Sequence, residues 1–321
     1  MSAPPLVSVV SPVHNEAEGI VEFHERTTKA LQAIAPPIDY EIVFVDDGST
    51  DGTPGLLRDI CATDPRARLV SLSRNFGHQA AITAGVDHAA GDAVVVIDSD
   101  LQDPPEVIAE MVDRWRDGWH VVYGQRRVRD GEPRLRLLVT KVFYRLLNRL
   151  SDTPMPVDTG DFRLMDRQVV EVLRSELRES NRYLRGLVTW AGFRQCAVEY
   201  HRAARHAGTP TYTPTRLVGL ALDGITSFSV KPLRLAFRLG LVVVVAALVY
   251  AGWIVVQRLL WPETAPEGWA SVMVAVLFLG GVQLLSVGLL GEYLGRTYRE
   301  TKRRPLYIVA QRVNVPESTR D

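Results

Sequence analysis

Cysteine is nearly absent, with only Cys61 and Cys196 in a chain of 321 residues. So few thiols exclude a disulfide-stapled scaffold, and with no histidine cluster nearby they make a weak case for zinc. Net charge is missing too: 37 basic side chains stand against 37 acidic ones, which argues against a nucleic-acid partner. At 46% hydrophobic and 23% charged residues, the composition lacks the skew of a disordered or collagen-like chain. Two nucleotide-binding signatures are also lacking, since no GxGxxG follows the first apolar run and no GxxxxGK[ST] occurs anywhere. The amino terminus has no basic region, and its apolar run, residues 6–13, is short and contains Pro12. No signal peptide is therefore expected, and the first 230 residues are read as cytoplasmic.

What the chain does have is strongly segregated. Between Arg238 and Arg258 lie 19 residues without a charge, and between Glu267 and Glu292 lie 24. As helices these runs are about 28 and 36 Å long, enough to cross a hydrocarbon core of roughly 30 Å. Lys231, Arg234 and Arg238 precede the first run, and Arg296, Arg299, Lys302, Arg303 and Arg304 follow the second, whereas the connecting loop carries Glu263 and Glu267. Basic flanks stay on the cytoplasmic side, so the pattern predicts a multi-pass inner-membrane hairpin with both termini inside and Trp261 and Trp269 at the interface. The expected division is a cytoplasmic α/β domain over 1–210, an amphipathic juxtamembrane segment over 211–232 and spans over 233–258 and 269–293. An external loop over 259–268 joins the spans, and a cytoplasmic tail follows over 294–321. In that tail PLYIVAQRVNV alternates enough to be a strand, which either returns to the first domain or pairs with another subunit in a homo-oligomer.

Before the hairpin, β-branched apolar runs at 6–10, 40–45, 67–72, 92–97 and 120–124 alternate with helix-like segments at 18–34, 53–61, 78–90 and 104–116. Continuous apolar strands alternating with helices predict an α/β fold built on a mostly parallel sheet covered on both faces. Ligands of such sheets sit beyond the carboxyl ends of the strands. Those ends are polar here: SPVHNE, DDGSTDGT, SRNFG and DSDLQD follow the first four strands in order. Carboxylates crowded as in Asp98-Ser99-Asp100-Leu101-Gln102-Asp103 repel one another unless a cation sits among them, and hard oxygen ligands suit Mg2+ or Mn2+. Asp103 is expected to cap the helix that starts at Pro104, and Asp51 to serve as a turn or cap residue before Thr53. Asp46 and Asp47, at the second strand end, are placed to accept hydrogen bonds from a base or ribose.

The series SPVHNE, VDDGSTDGT, SRNFG and DSDLQDPPE resembles family 2 glycosyltransferases with the GT-A nucleotide-sugar fold. More closely, the chain is similar to polyisoprenyl-phosphate glycosyltransferases, including bactoprenol glucosyltransferases and dolichol-phosphate mannose synthases. The likeness continues through DTGDFRLM (158–165), NRYLRG (181–186), ITSFSVKPLR (225–234), the apolar hairpin and RPLYIV (304–309). It implies inverting, metal-dependent transfer of a sugar from a nucleotide donor to a polyprenyl phosphate such as undecaprenyl phosphate. Carried over, Pro12, Val13 and Glu16 line the nucleoside pocket with Asp46 or Asp47, Arg74 and Asp98. The family's DxDxQ motif falls on Asp98, Asp100 and Gln102 as metal residues, with Asp100 and Gln102 favoured as the direct ligands, and the candidate catalytic carboxylate falls on Asp158. Likeness to bactoprenol glucosyltransferases favours UDP-glucose as donor, with UDP-N-acetylhexosamine or GDP-mannose behind it.

The implied chemistry can be checked against the residues. A phosphate monoester with a second pKa near ~6 is mostly anionic at neutral pH, so Asp158 either removes a proton or positions the acceptor or sugar. Bringing two anions together needs positive charge, and the stretch from Arg126 to Arg149 holds eight basic residues against two acids. Its charges run beside Leu135, Leu138, Val142, Leu146 and Leu150 at helical spacing, the pattern of a basic amphipathic helix on an anionic leaflet. Arg126 and Arg127 are the first candidates for phosphate contact, followed by Arg163, Arg185 and Lys231. A membrane polysaccharide synthase fits less well, because two spans are few for a conduit and QxxRW is absent. A catalytically silent nucleotide-sugar-binding protein would have lost acidic residues that are intact here.

Overall fold

The computed structural model describes residues 4–126, 159–180, 182–201, 231–260 and 268–315, which fall into an α/β unit and a helical unit. Strands β1 (Leu6–Val13), β2 (Asp39–Asp46), β3 (Ala67–Leu72) and β4 (Ala93–Val96) lie side by side in the order β4-β1-β2-β3, all parallel. Their near-continuous apolar sequence follows from burial on both faces. One face is covered by α1 (Ile20–Gln32), α2 (Thr53–Thr63) and α4 (Ile108–Arg116), the last preceded by a 3-10 turn at Pro105–Val107. Ile20, Phe23 and Leu31 of α1 and Ile108 and Met111 of α4 form one core with Val9, Phe44, Leu69 and Val95 of the strands. The opposite face carries α3 (His78–His88), which packs on β1 and β2, and α5 (Arg167–Ser175). A Cβ at Gly85 would lie 2.2 Å from Val10 Cγ1, so this glycine lets α3 sit directly on the sheet.

The rest of the sheet departs from the simple alternating pattern. β5 (Val121–Arg126) does not join β4; between them lies β6 (Thr159–Asp166), antiparallel to both, and β7 (Gln195–Tyr200) runs parallel to β5 at that edge. Helix α6 (Leu184–Trp190) precedes β7. β6 carries Asp161 and Arg163, both buried, so it does not read as an apolar run in sequence. At the far edge β8 (Val309–Val313) pairs antiparallel with β3. Ile308 O accepts the Ser73 amide at 2.9 Å, and Asn314 Nδ2 donates to Cys61 O and Ala67 O. Tyr307 donates its hydroxyl to Asp87 at 2.8 Å, and Arg178 donates to both oxygens of the same carboxylate.

The helical unit consists of α7 (Lys231–Leu260) and α8 (Trp269–Thr301), 30 and 33 residues long. Both run past the bounds expected from the uncharged stretches. They are apolar around much of their circumference, with Leu248 68% and Leu284 75% exposed. Among the described residues one segment, Phe278–Thr301, is long and apolar enough to cross a bilayer, and Ala236–Tyr250 is a shorter apolar helix segment.

Candidate active site

The order β4-β1-β2 places a topological switch point between β1 and β4, where adjacent connections leave in opposite directions. A cleft of about 200 Å³ opens at the carboxyl ends of these strands and is lined by Pro12, Val13, Glu16, Asp47, Asp98 and Asp100. The sequence reading named all six. It missed the other four residues on the same wall: His14, His78, Ala81 and Ser99.

Backbone hydrogen bonds build the rim. Both oxygens of Asp47 accept backbone amides, Phe76 N at 2.7 Å and Gly77 N at 2.9 Å, and Asp46 Oδ1 accepts Ser49 N at 3.0 Å. These two carboxylates, expected to meet a base or ribose, fold the loops after β2 and β3, and Asp47 also lines the cleft. Asp46 is buried and does not line the cleft. Gly48 allows the two loops to touch: it has φ +67, and a Cβ there would lie 2.6 Å from the backbone of Arg74 and Asn75. Arg74 is exposed, stacks over the Phe76 ring at 3.9 Å and donates to Asn75 O. Asp51 accepts Thr53 N at 3.0 Å, the expected turn role.

The acidic segment divides its work. Asp98 Oδ1 is buried without a hydrogen-bond partner. Burial pushes the Asp98 carboxyl up to about 6; the negative charges of Asp161, Asp100 and Asp103 add to this and His78 opposes it. Asp100 Oδ1 accepts the amide of Gln102 at 3.1 Å, closing a turn in which Leu101 takes a left-handed φ of 57°. Such backbone strain persists only where surrounding structure enforces it. Gln102 is buried and does not line the cleft, so of the three expected metal residues Asp98 and Asp100 face it. No cluster of three or more histidine, cysteine or acidic side chains at metal-holding distance occurs among the described residues. Two carboxylates, one with an orphaned buried oxygen, nevertheless fit magnesium-type binding, which draws its remaining ligands from water and substrate phosphates.

Asp103 is not a helix cap. No side chain caps the 3-10 turn or α4, and Asp103 accepts the Tyr200 hydroxyl at 2.5 Å while Arg126 stands 3.6 Å away. Arg126 Nε also donates to Tyr200 Oη at 3.2 Å. Of the expected phosphate-binding arginines, the described ones, Arg126, Arg163 and Arg185, each have a hydrogen-bond partner within the α/β unit. Arg185 donates from Nε to Asp161 Oδ1 at 2.8 Å. Arg163 is 3% exposed, bonds Gly160 O, and is held down to about 10 by burial. Asp161 is the hub: its carboxylate also accepts from His78 Nε2 at 3.3 Å and Gln79 Nε2 at 3.2 Å. Burial by itself would raise its pKa, but the hydrogen bonds from His78 and Arg185 hold it well below the usual carboxylate range. Lys231 is the first residue of α7. Asp158, Arg127 and the basic run that follows it lie outside the described residues, as does most of the juxtamembrane segment.

Comparison with known proteins gives this architecture its place. The model of glycosyl transferase family 2 matches residues 8–174, and that of the GtrB C-terminal hairpin matches residues 231–297. An uncharacterized glycosyltransferase of Bacillus subtilis, YkcC, is 46% identical over 302 residues, covering 94% of this chain and 92% of that protein. The prophage bactoprenol glucosyl transferase homolog of Escherichia coli K12 is 42% identical over 303 residues, covering 94% and 98%. The solved glucosyl-3-phosphoglycerate synthase of Mycobacterium tuberculosis, in complex with Mn2+, UDP and glucosyl-3-phosphoglycerate, is 20% identical, with a TM-score of 0.44 over 69% of this chain and 78% of that one. The class is thus a glycosyltransferase with a GT-A-like α/β fold. Within that class, the chain belongs to glycosyl transferase family 2 and carries the GtrB-type C-terminal hairpin segment.

Proposed function

We propose that this enzyme transfers a sugar, glucose in the favoured case, from a nucleotide-sugar donor to polyprenyl phosphate at the cytoplasmic membrane face, with inversion and with a divalent metal ion. The observation that carries this reading is the pair Asp98 and Asp100 on the cleft at the switch point, in a chain 42% identical over nearly its whole length to a protein named for bactoprenol glucosyl transfer. Pro12, Val13 and Glu16 shape the wall where the nucleoside binds. Asp98 and Asp100 would hold Mg2+ or Mn2+, and when bound that ion supplies positive charge to the departing diphosphate. Asp158 accepts the acceptor's proton or fixes its position, and Arg126 and Arg127 are the first candidates to contact the acceptor phosphate. α7 and α8 span the membrane as a hairpin, the α/β domain and both termini facing the cytoplasm.

Membranes containing the protein, incubated with labelled UDP-glucose, UDP-N-acetylhexosamine or GDP-mannose and undecaprenyl phosphate, test the reaction. A labelled lipid extractable into organic solvent, formed with one donor and abolished by chelation, is expected. No such lipid with any donor overturns the reading. For the topology, a Glu263→Cys variant in intact cells is expected to react with an impermeant thiol reagent from outside.

A further inference from the structure

We infer that His78 is a positioning residue of this site: anchored on Asp161, its imidazole fixes the orientation of the Asp98 carboxylate that faces the cleft. The inference rests on the reading of Asp98 and Asp100 as the metal–diphosphate end of the site.

His78 is the first residue of α3, directly after Gly77, whose amide is bound by Asp47. Its helix cannot drift outward without losing the close fit of Gly85 on Val10. The ring's Nε2 lies 3.3 Å from Asp161 Oδ2 and 3.5 Å from Asp98 Oδ1. The two carboxylates differ in how firmly they are held. Asp161 is 6% exposed and is fixed by Arg185 Nε at 2.8 Å and by Gln79 Nε2 at 3.2 Å, while Gln79 Oε1 is itself tied to Leu184 N. Asp98 Oδ1 is buried with no hydrogen bond, and the His78 imidazole stands beside it at 3.5 Å.

One nitrogen carries one proton, so the shorter, bonded partner is the anchor and the longer one is held by charge and dipole. A carboxylate-anchored histidine that orients a second carboxylate is the outer-shell pattern that sets ligand geometry at metal sites, and losing such a group costs about 10–100-fold in metal affinity or activity. Without His78, Asp98 is free to turn, and the loss falls on metal-assisted diphosphate binding rather than on the nucleoside wall at Pro12 and Val13.

The test uses the full-length protein in detergent, with His78→Ala, His78→Gln, His78→Phe and Asp100→Ala beside the unaltered chain. UDP binding is measured by calorimetry with and without Mn2+, together with thermal melting and sugar transfer to undecaprenyl phosphate. His78→Ala and His78→Phe are expected to weaken Mn2+-dependent UDP binding by about 10–100-fold, leaving metal-free UDP binding and the melting temperature near those of the unaltered chain. His78→Gln, which keeps an N–H donor at the same reach, recovers part of the loss. Metal-dependent binding equal to the unaltered chain in His78→Phe, or a glutamine variant as weak as the phenylalanine one, overturns the inference; that pair decides even if the alanine variant fails to fold. Failure of the underlying reading looks different: Mn2+ then does nothing for UDP binding in the unaltered chain, and Asp100→Ala matches it.

Discussion

Single side chains carry the chemistry of this protein, and their effects separate by location. Replacing Asp100 by asparagine removes charge from the cleft without removing volume, and transfer is expected to fall by about 100-fold or more in the lipid-extraction assay while the melting temperature holds. Glu41 sits at the opposite ends of the strands, where it is 2% exposed and accepts from Ser8 Oγ and Ala90 N while pairing with Arg68. Glu41→Ala strands a buried guanidinium. It should cost about 3–5 kcal/mol, read as a lowered melting temperature with UDP affinity per folded molecule unchanged. Asp98 and Asp100 could be recognised in the sequence because acidic residues gather at a strand end. The role of Asp103 could not, since its partner Tyr200 is 97 residues away and nothing in DSDLQD announces a tyrosine on β7. Asp161 was hidden for a similar reason: it is ionised in the interior only because His78, Gln79 and Arg185 converge on it from α3 and α6.

Among elements, the parallel strands were the most legible. β1 to β4 are buried on both faces and their composition says so, whereas β6 pays for its charges through partners that periodicity cannot reveal. The consequence is that the sheet is parallel from β4 to β3, at whose carboxyl ends the cleft opens, and mixed where β6 inserts beside β4. Helix α3 shows how tightly an element can be set by one residue. Gly85→Ala places a methyl group 2.2 Å from Val10 Cγ1. The overpacking should cost about 1–3 kcal/mol, and pushing α3 away should weaken Mn2+-dependent UDP binding in the same variant, measured by calorimetry. A variant that loses stability but keeps full binding would show that the start of α3 is held by its loop rather than by the helix behind it.

Across the whole molecule, the strand at one edge of the sheet is, among the described residues, also the last along the chain. β8 covers the edge of β3, and the residues around it reach Ser73, Asp87 and Cys61. Truncation after Arg304 is expected to expose the β3 edge, speed hydrogen exchange at the β3 amides and lower the melting temperature. An edge left open also invites pairing with a second copy, so the truncated chain should associate more readily in a detergent-phase mass measurement. Because residues 309–313 are translated after both long helices, the sheet waits for β8 until those helices have been made. Synthesis order thus places both long helices before completion of the sheet, and a nascent chain stalled before that strand would present the unfinished β3 edge to the cell.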